Sequence, residues 1–277
     1  MICKMLAMDL DGTLTNSRKE VSDRNKMCIQ QAAEAGVHIV LASGRPEIGQ
    51  RNVIERLEFA QTGGFMLACN GSHIVEFRDG REKSLRSITL DPDTITRASV
   101  FARENGVDAF SYNSVGILTE NPEGEWLQKE VYNCGRPLIY TECLEETLIK
   151  AKIETHKLVI TASHDDLLRI KDELEETLNG DAWVFFSEPH FLEVTPPGVD
   201  KATSLTWLCS YLDIAPETVI ACGDSGNDIS MLKFAGIGVA VGNALPEVKE
   251  AADCVVASND EDGVAEAIET FLLQKSL

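Results

Sequence analysis

The sequence of 277 residues lacks the long apolar runs that membrane proteins carry. None of its runs reaches the roughly 18 consecutive apolar residues that a membrane-spanning helix requires. The first residues, MICKMLAMDLDG, also lack the basic stretch, the long apolar core and the small-residue cleavage site of a signal peptide. We therefore expect a cytoplasmic protein that does not act at a membrane.

Cysteine and histidine do not form the patterns of a disulfide framework or a zinc site. The eight cysteines include no Cys-x-x-Cys pair, and the five histidines are dispersed along the chain. Scattered thiols of this kind are typical of a protein in a reducing compartment, and the spacing argues against bound zinc.

Basic residues are scarce. Only 25 lysines and arginines stand against 45 acidic residues, so the formal net charge is −20. Nonspecific binding to nucleic acid depends on basic side chains that neutralise phosphates, and this composition opposes it. A small phosphorylated ligand is compatible with the composition, because a metal ion and a few nearby cations outweigh a distant negative field. Nothing in the sequence indicates an obligatory protein partner.

The chain does contain short apolar runs that alternate with helix-like stretches, near both of its ends. These runs span residues 2–8, 37–43, 65–70, 218–224, 236–243 and 253–258. They are too continuous for half-exposed strands and favour a parallel sheet buried on both faces. The middle of the chain instead carries charged helical stretches and mixed strands. The sequence therefore predicts the α/β class, with a doubly wound, Rossmann-like parallel sheet formed by residues 1–84 and 191–277. Residues 85–190 are predicted to form an inserted α+β domain.

Polar residues follow the predicted core strands, at the point where each strand ends. Asp9 and Asp11 follow the first strand, and Asp11 would lie on the same side of an extended chain as Asp9. The other polar ends are Ser43-Gly44-Arg45, Asn70-Gly71 and the segment 223–228. The carboxyl ends of such strands line the ligand crevice of a doubly wound sheet. Several carboxylates at one edge require a cation, and Mg²⁺ prefers oxygen ligands.

Four motifs in order resemble those of the haloacid dehalogenase superfamily of phosphohydrolases. They are DLDGTLT (9–15), LASGR (41–45), GVDKATSL (198–205), and GDSGND (223–228) followed by AGIGVAVGNA (235–244). Within the superfamily, the chain is most similar to Cof/YidA-type sugar phosphatases with a type IIB cap. The resemblance covers essentially the whole chain, and the predicted insertion falls between the second and third motifs, where that cap lies.

The resemblance implies a Mg²⁺-dependent phosphatase of small phosphorylated metabolites, most plausibly sugar phosphates. Asp9 would be the nucleophile that forms an aspartyl phosphate, and Asp11 would protonate the leaving alcohol and then activate water. Lys201 would offset the charge of Asp9. Asp9, the main-chain carbonyl of Asp11 and Asp224 would hold the metal, with Asp228 either as a further ligand or behind the ligands.

The resemblance also implies a phosphate-binding group. Ser43, Asn227 and Lys201 would receive the transferring phosphoryl oxygens, and Gly44 would allow backbone N–H groups to approach them. For Arg45 two roles stay open, substrate contact and bracing of the cap. For Asn70 the alternatives are substrate contact and stabilisation of its own loop.

Two other functions remain as alternatives at this point. A phosphomutase would pass the same phosphoryl group to a second hydroxyl instead of to water. A non-catalytic phosphosugar-binding regulator is the other alternative, and the intact set of Asp9, Asp11, Lys201 and Asp224 weighs against it.

Overall fold

The protein was analysed as a computed structural model that describes residues 3–273. These residues divide into two compact units. The first contains residues 3–44, 51–86 and 200–273, and the second contains residues 45–50 and 87–199. Within the described range, no helix combines the length and the apolar character needed to cross a membrane.

Fourteen strands and eleven α-helices are found in the described part of the chain. The strands are β1 (Met5–Met8), β2 (His38–Ala42), β3 (Gly64–Ala68), β4 (His73–Arg78), β5 (Arg81–Ser87), β6 (Asp108–Tyr112), β7 (Ile117–Thr119), β8 (Leu138–Tyr140), β9 (Leu158–Thr161), β10 (Trp183–Glu188), β11 (Phe191–Thr195), β12 (Val219–Gly223), β13 (Ile237–Ala240) and β14 (Cys254–Val255). The helices are α1 (Asp23–Glu34), α2 (Glu47–Arg56), α3 (Phe59–Thr62), α4 (Pro92–Glu104), α5 (Leu127–Cys134), α6 (Leu144–Lys150), α7 (His164–Leu178), α8 (Lys201–Leu212), α9 (Ile229–Phe234), α10 (Pro246–Ala251) and α11 (Gly263–Phe271).

The first unit is built on an eight-stranded sheet in the order β14-β13-β12-β1-β2-β3-β4-β5. The strands from β14 to β3 are parallel, and β4 runs antiparallel to β3. Every residue of β1 and β12 is buried, which explains why their sequences are apolar throughout instead of alternating. All six predicted strands form in this sheet. The predicted runs do not include β4 or β5, and most residues of β5 are charged or polar and exposed.

Helices cover both faces of this sheet. On one face, side chains such as Met8 and Leu41 pack with α1, α2 and α11. On the other face, their chain neighbours Ala7 and Val40 pack with α8, α9 and α10. Successive side chains of a strand point to opposite faces, so each strand contributes to both cores. The predicted doubly wound α/β core is confirmed.

The second unit has its own six-stranded sheet, in the order β10-β11-β9-β6-β7-β8. Its strand pairs are antiparallel except β7 with β8. Helices α4, α6 and α7 pack on one face, where α7 buries Leu167, Ile170, Leu174 and Leu178 at a spacing of three or four residues. On the other face, Phe110 packs with α5 in a smaller cluster.

The limits of the two units differ from the predicted domain limits at 84/85 and 190/191. Strand β11, which the sequence analysis placed in the core, pairs with β9 and β10, so residues 191–199 belong to the second unit. The segment 45–50 also belongs there, because Ile48 packs in its core and accepts a hydrogen bond from Arg136 (3.0 Å). Both features depend on contacts between residues far apart in the chain, and a local sequence pattern does not report them.

Candidate active site

The chain turns sharply at the end of β1. Asp9 is buried, and its N–H donates to the carbonyl oxygen of Cys222 (3.0 Å), so Asp9 continues the parallel pairing of β1 with β12. Leu14 then donates its N–H back to the carbonyl oxygen of Asp9 (3.2 Å). Asp11 lies within this turn and forms an isolated β-bridge with Thr15, and its position beside Asp9 stays a prediction. Its side chain is 34% exposed.

Two residues of this turn contact the loop that follows β12. Gly12 has φ +83°, and a Cβ added to it would lie 2.5 Å from Oδ2 of Asp224. Only glycine fits both the left-handed backbone and the close approach. Next to it, the Thr13 hydroxyl donates to Oδ1 of Asp224 (2.7 Å). The turn after β1 and the loop after β12 are thus packed directly against each other.

Lys201 is the first residue of α8 and is fully buried. Asp200 caps this helix through a reciprocal capping box with Thr203, which fixes where the helix begins. The Lys201 ammonium donates to Oδ1 of Asp9 and to Oδ1 of Asp228, both at 2.6 Å. Burial alone would lower the pKa of Lys201, but the carboxylates of Asp228 and Asp9 raise it above its ordinary value. Lys201 is therefore a fixed cation.

Asp228 uses both of its carboxylate oxygens inside the protein. Oδ1 accepts from Lys201, and Oδ2 accepts the backbone N–H groups of Asp224 and Ser225, each at 2.9 Å. The side chain is fully buried. A Cβ on Gly223 would lie 2.5 Å from Cβ of Asp228, so glycine is needed for the loop to close on this carboxylate. These contacts make Asp228 the residue that shapes the loop and holds Lys201 in place.

Three carboxylates come together around the Lys201 ammonium. One oxygen from each of Asp9, Asp224 and Asp228 lies within 4.8 Å of the others. Burial raises the pKa of Asp9 well above its ordinary value, with Lys201 acting in the opposite direction and the charges of Asp228 and Asp224 adding to the rise. Burial likewise raises the pKa of Asp224, against its hydrogen bond from Thr13. A single ammonium does not balance the buried carboxylates of Asp9 and Asp228 and the partly buried carboxylate of Asp224, and their oxygen donors at this separation fit Mg²⁺.

A second polar group lies beside these carboxylates, at the ends of β2 and β3. Asn227, from the same loop as Asp224, donates its Nδ2 to Oδ1 of Asn70 (3.0 Å). Asn70 also donates its backbone N–H to the carbonyl oxygen of Ser43 (2.9 Å), and Ser43 and Asn70 are both buried. Gly44 closes the group, since a Cβ there would lie 3.5 Å from Oδ1 of Asn70. Four of the predicted phosphate-binding residues are thus neighbours.

The backbone at this second group is unusual. Cys69 and Asn70 are consecutive non-glycine residues with positive φ, at 49° and 57°. Such conformations persist only where the surrounding structure enforces them, and they concentrate at functional sites. Here the strand end, the bond to Ser43 and the contact with Asn227 hold them.

Arg45 belongs to the second unit. Its guanidinium Nη1 donates to the carbonyl oxygen of Gly49 (2.9 Å), within the short segment 45–50. Substrate contact by Arg45 stays a prediction.

Sequence reasoning missed three residues that hold the turn after β1. Lys19 places its ammonium Nζ 2.5 Å from Oδ1 of Asp11. Thr13 bonds to Asp224, as described, and Asn243 donates its Nδ2 to the carbonyl oxygen of Gly12 (2.7 Å). Thr13 and Asn243 lie inside the quoted motifs, so their position was a usable signal. Lys19 lies in a polar stretch outside these motifs, and the sequence gives no signal that identifies it.

The site contains the buried Asp9 carboxylate paired with the Lys201 ammonium, the neighbouring oxygen donors of Asp224 and Asp228, and the partly exposed Asp11 carboxylate.

Comparison with known proteins supports a hydrolase. Residues 6–268 match the family of haloacid dehalogenase-like hydrolases. A curated relative, 5-amino-6-(5-phospho-D-ribitylamino)uracil phosphatase YcsE of Bacillus subtilis (strain 168), is 34% identical over 275 residues, covering 98% of this chain and 96% of that protein.

Solved structures share the fold. A haloacid dehalogenase-like hydrolase from Bacteroides thetaiotaomicron has a TM-score of 0.90 and 39% identity, covering 98% of this chain and 100% of that one. The sugar phosphatase BT4131 of subclass IIB has a TM-score of 0.78 and 25% identity, covering 97% of this chain and 98% of that one.

Proposed function

Because the chain belongs to the family of haloacid dehalogenase-like hydrolases and is a phosphoric monoester hydrolase, we propose that it cleaves small phosphorylated metabolites through an aspartyl phosphate on Asp9. The family resemblance inferred from the motifs is confirmed by the match over residues 6–268. The observation that carries the mechanism is the buried Asp9 carboxylate held by Lys201 beside Asp224 and Asp228.

In the first step, a carboxylate oxygen of Asp9 attacks phosphorus while the bond from phosphorus to the leaving oxygen breaks. The leaving oxygen takes the proton of the Asp11 carboxyl group and departs as an alcohol. In the second step, water attacks the phosphorus of the aspartyl phosphate and gives its proton to the Asp11 carboxylate. Phosphate leaves, and Asp9 and the Asp11 carboxyl group are restored.

Lys201 orients Asp9 and provides positive charge at the reacting group without any rearrangement. Its fixed position, between Asp9 and Asp228, is the kind of preorganised electrostatic environment that stabilises a transition state in which charge is spread over phosphoryl oxygens. The cluster of Ser43, Gly44, Asn70 and Asn227 would hold those oxygens on the other side. We also propose that Arg45 contacts the substrate.

We propose that the cofactor is Mg²⁺, held by the carboxylates of Asp9 and Asp224 and by the main-chain carbonyl of Asp11. When bound, Mg²⁺ supplies positive charge that offsets the phosphoryl oxygens. Since both oxygens of Asp228 already accept hydrogen bonds from Lys201 and from backbone N–H groups, we assign Asp228 a supporting role behind the ligands.

The substrate class that we propose is a phosphate ester of a polyhydroxylated alcohol, such as a sugar phosphate. Two observations support it: YcsE acts on a phosphorylated ribityl compound, and BT4131 is a sugar phosphatase. The second unit would act as the cap that selects the leaving group. A cytoplasmic location also stays a prediction.

The test is phosphate release by the purified protein with Mg²⁺, from p-nitrophenyl phosphate and from a panel of sugar phosphates. We expect Asp9→Asn to reduce turnover to background, because an amide is not a nucleophile here, and chelation of the metal to stop the wild-type reaction. Asp165→Asn, an exposed residue at the start of α7, is the matched control and should behave as wild type.

Near-normal turnover by Asp9→Asn would show that the nucleophile is assigned wrongly, and activity that survives exhaustive chelation would exclude the metal. Conversion of glucose 1-phosphate to glucose 6-phosphate without stoichiometric phosphate would instead indicate a phosphomutase.

A further inference from the structure

The ion pair between Lys19 and Asp11 has no role in the steps above. The Lys19 ammonium lies 2.5 Å from Oδ1 of Asp11, and the two side chains are 33% and 34% exposed. An ion pair this exposed contributes little to stability, because water screens the charges and both side chains lose freedom. Stability therefore does not explain why Lys19 pairs with Asp11, the proposed acid/base residue.

The loop that carries Lys19 is closed tightly by Asn16. The Asn16 N–H donates to the carbonyl oxygen of Glu20 (3.0 Å), and the Lys19 N–H donates to the carbonyl oxygen of Asn16 (2.9 Å). The Asn16 side-chain oxygen Oδ1 accepts the N–H groups of Arg18 (2.9 Å) and Glu20 (3.1 Å). Lys19 itself has φ +62°, a left-handed conformation that is uncommon for a lysine. The loop therefore enforces an unfavourable backbone at the residue that meets Asp11.

The same loop is anchored to a distant part of the chain. Ser17 donates its N–H to Oδ1 of Asp260 (2.8 Å), and Asn259 donates its Nδ2 to the carbonyl oxygen of Thr15 (2.9 Å). The N–H of Asn259 in turn donates to Oδ1 of Asn243 (2.9 Å), the residue that bonds to Gly12. Both ends of the segment between Asp11 and Lys19 are thus fixed to residues 243–260. These three hydrogen bonds hold the backbone of the segment that carries Asp11 and Lys19.

We propose that Lys19 is a positioning residue: its ammonium donates to Oδ1 of Asp11 and so orients the other carboxyl oxygen, Oδ2, to pass its proton to the leaving oxygen. This inference rests on the proposed function, in which Asp11 is the acid. Proton transfer requires a carboxyl group within hydrogen-bond reach of the leaving oxygen, and small displacements of a catalytic group cost large factors in rate. Asp11 lies in a partly exposed turn, outside the buried cluster around Lys201, and Lys19 is the cation that meets its Oδ1 there.

The experiment compares wild type and Lys19→Met on phenyl phosphates that differ only in ring substituents. These esters share a shape but differ in how strongly the leaving oxygen needs a proton. The measured quantity is kcat/KM with Mg²⁺, because it reports the steps up to formation of the aspartyl phosphate. We expect Lys19→Met to lower kcat/KM about tenfold for the most basic leaving group and less than about threefold for p-nitrophenyl phosphate. The plot of log kcat/KM against leaving-group pKa should become steeper.

Three further variants locate the effect. Lys19→Arg should restore most of the wild-type slope, since it keeps a cation at the end of a long stem. Arg18→Met removes the neighbouring exposed cation, which pairs with Glu20, and should leave the slope unchanged. In an Asp11→Asn background, Lys19→Met should change the slope no further, because the two residues act as one unit.

An equal loss of kcat/KM for all esters, or no loss for any of them, would overturn the inference. If Lys19→Met does not fold, the comparison of Lys19→Gln with Lys19→Arg decides the question in the same way. The proposed function fails separately, when Asp9→Asn stays active. An inactive Asp9→Asn with an unchanged slope in Lys19→Met would therefore reject only the positioning role.

Discussion

Replacing Lys201 by methionine removes the cation that is shared by two buried carboxylates. The lysine is fully buried, and its ammonium lies 2.6 Å from both Asp9 and Asp228. Methionine keeps a flexible unbranched stem of similar length, so little packing is lost. The variant therefore isolates the charge.

The expected cost follows from the burial of the pair. Removal of one partner of a buried ion pair destabilises a protein by about 3–5 kcal/mol, because the remaining charge is left uncompensated. For a chain of this size, each kcal/mol corresponds to a shift of about 2–4 °C in Tm, which predicts a fall of about 6–20 °C. Turnover should fall to background as well, since Lys201 orients the nucleophile.

The assay is thermal unfolding of wild type and Lys201→Met, with and without Mg²⁺, together with phosphate release. Added Mg²⁺ should recover more Tm in the variant than in wild type, because a metal ion on Asp9 and Asp224 would compensate the charges that Lys201 leaves behind. Lys171→Met is the matched control: its ammonium pairs with Glu175 on the surface of α7, so its Tm should change by no more than about 2 °C. A Tm within about 1 °C of wild type for Lys201→Met, or retained turnover, would refute the reasoning.

Three further predictions test other parts of the structure. Gly12→Ala should lower the free energy of unfolding by about 1–3 kcal/mol and reduce turnover, because the new Cβ would lie 2.5 Å from Oδ2 of Asp224 in a left-handed backbone; unchanged kinetics would contradict this geometry. Leu174→Ala should cost about 2–5 kcal/mol in urea unfolding because it opens a cavity in the second unit, whereas the exposed Leu168 on the same helix should tolerate alanine; equal losses at both positions would contradict the assigned burial. Burial raises the pKa of Glu130 above its ordinary value of 4.5, so the folded protein binds this proton more tightly than the unfolded chain. Its contribution to stability is present below pH 4.5 and is lost as the pH rises through the folded pKa. Glu130→Gln should therefore flatten the fall in the free energy of unfolding as the pH rises from 4.5, measured by urea titration at several pH values; an unchanged slope would count against a raised pKa.

The sequence by itself was sufficient for the six parallel strands of the core sheet and for the polar residues that follow them. Continuous apolar runs mark strands that are buried on both faces, and that burial is a local property of each strand. The residues that follow β1 and β12, Asp9 and Asp224, therefore lie at one edge of the sheet as expected.

Only the tertiary structure decided how these residues are held. The pairing of Lys19 with Asp11 depends on a loop closed by Asn16 and anchored to residues 243–260, and the assignment of Arg45 to the second unit depends on packing around Ile48. The two oxygens of Asp228 likewise find partners from separate segments. A sequence pattern reports periodic burial within one element, whereas hydrogen bonds between distant segments follow from how the elements pack. That difference is why the sequence located the reactive groups and the fold determined their orientation.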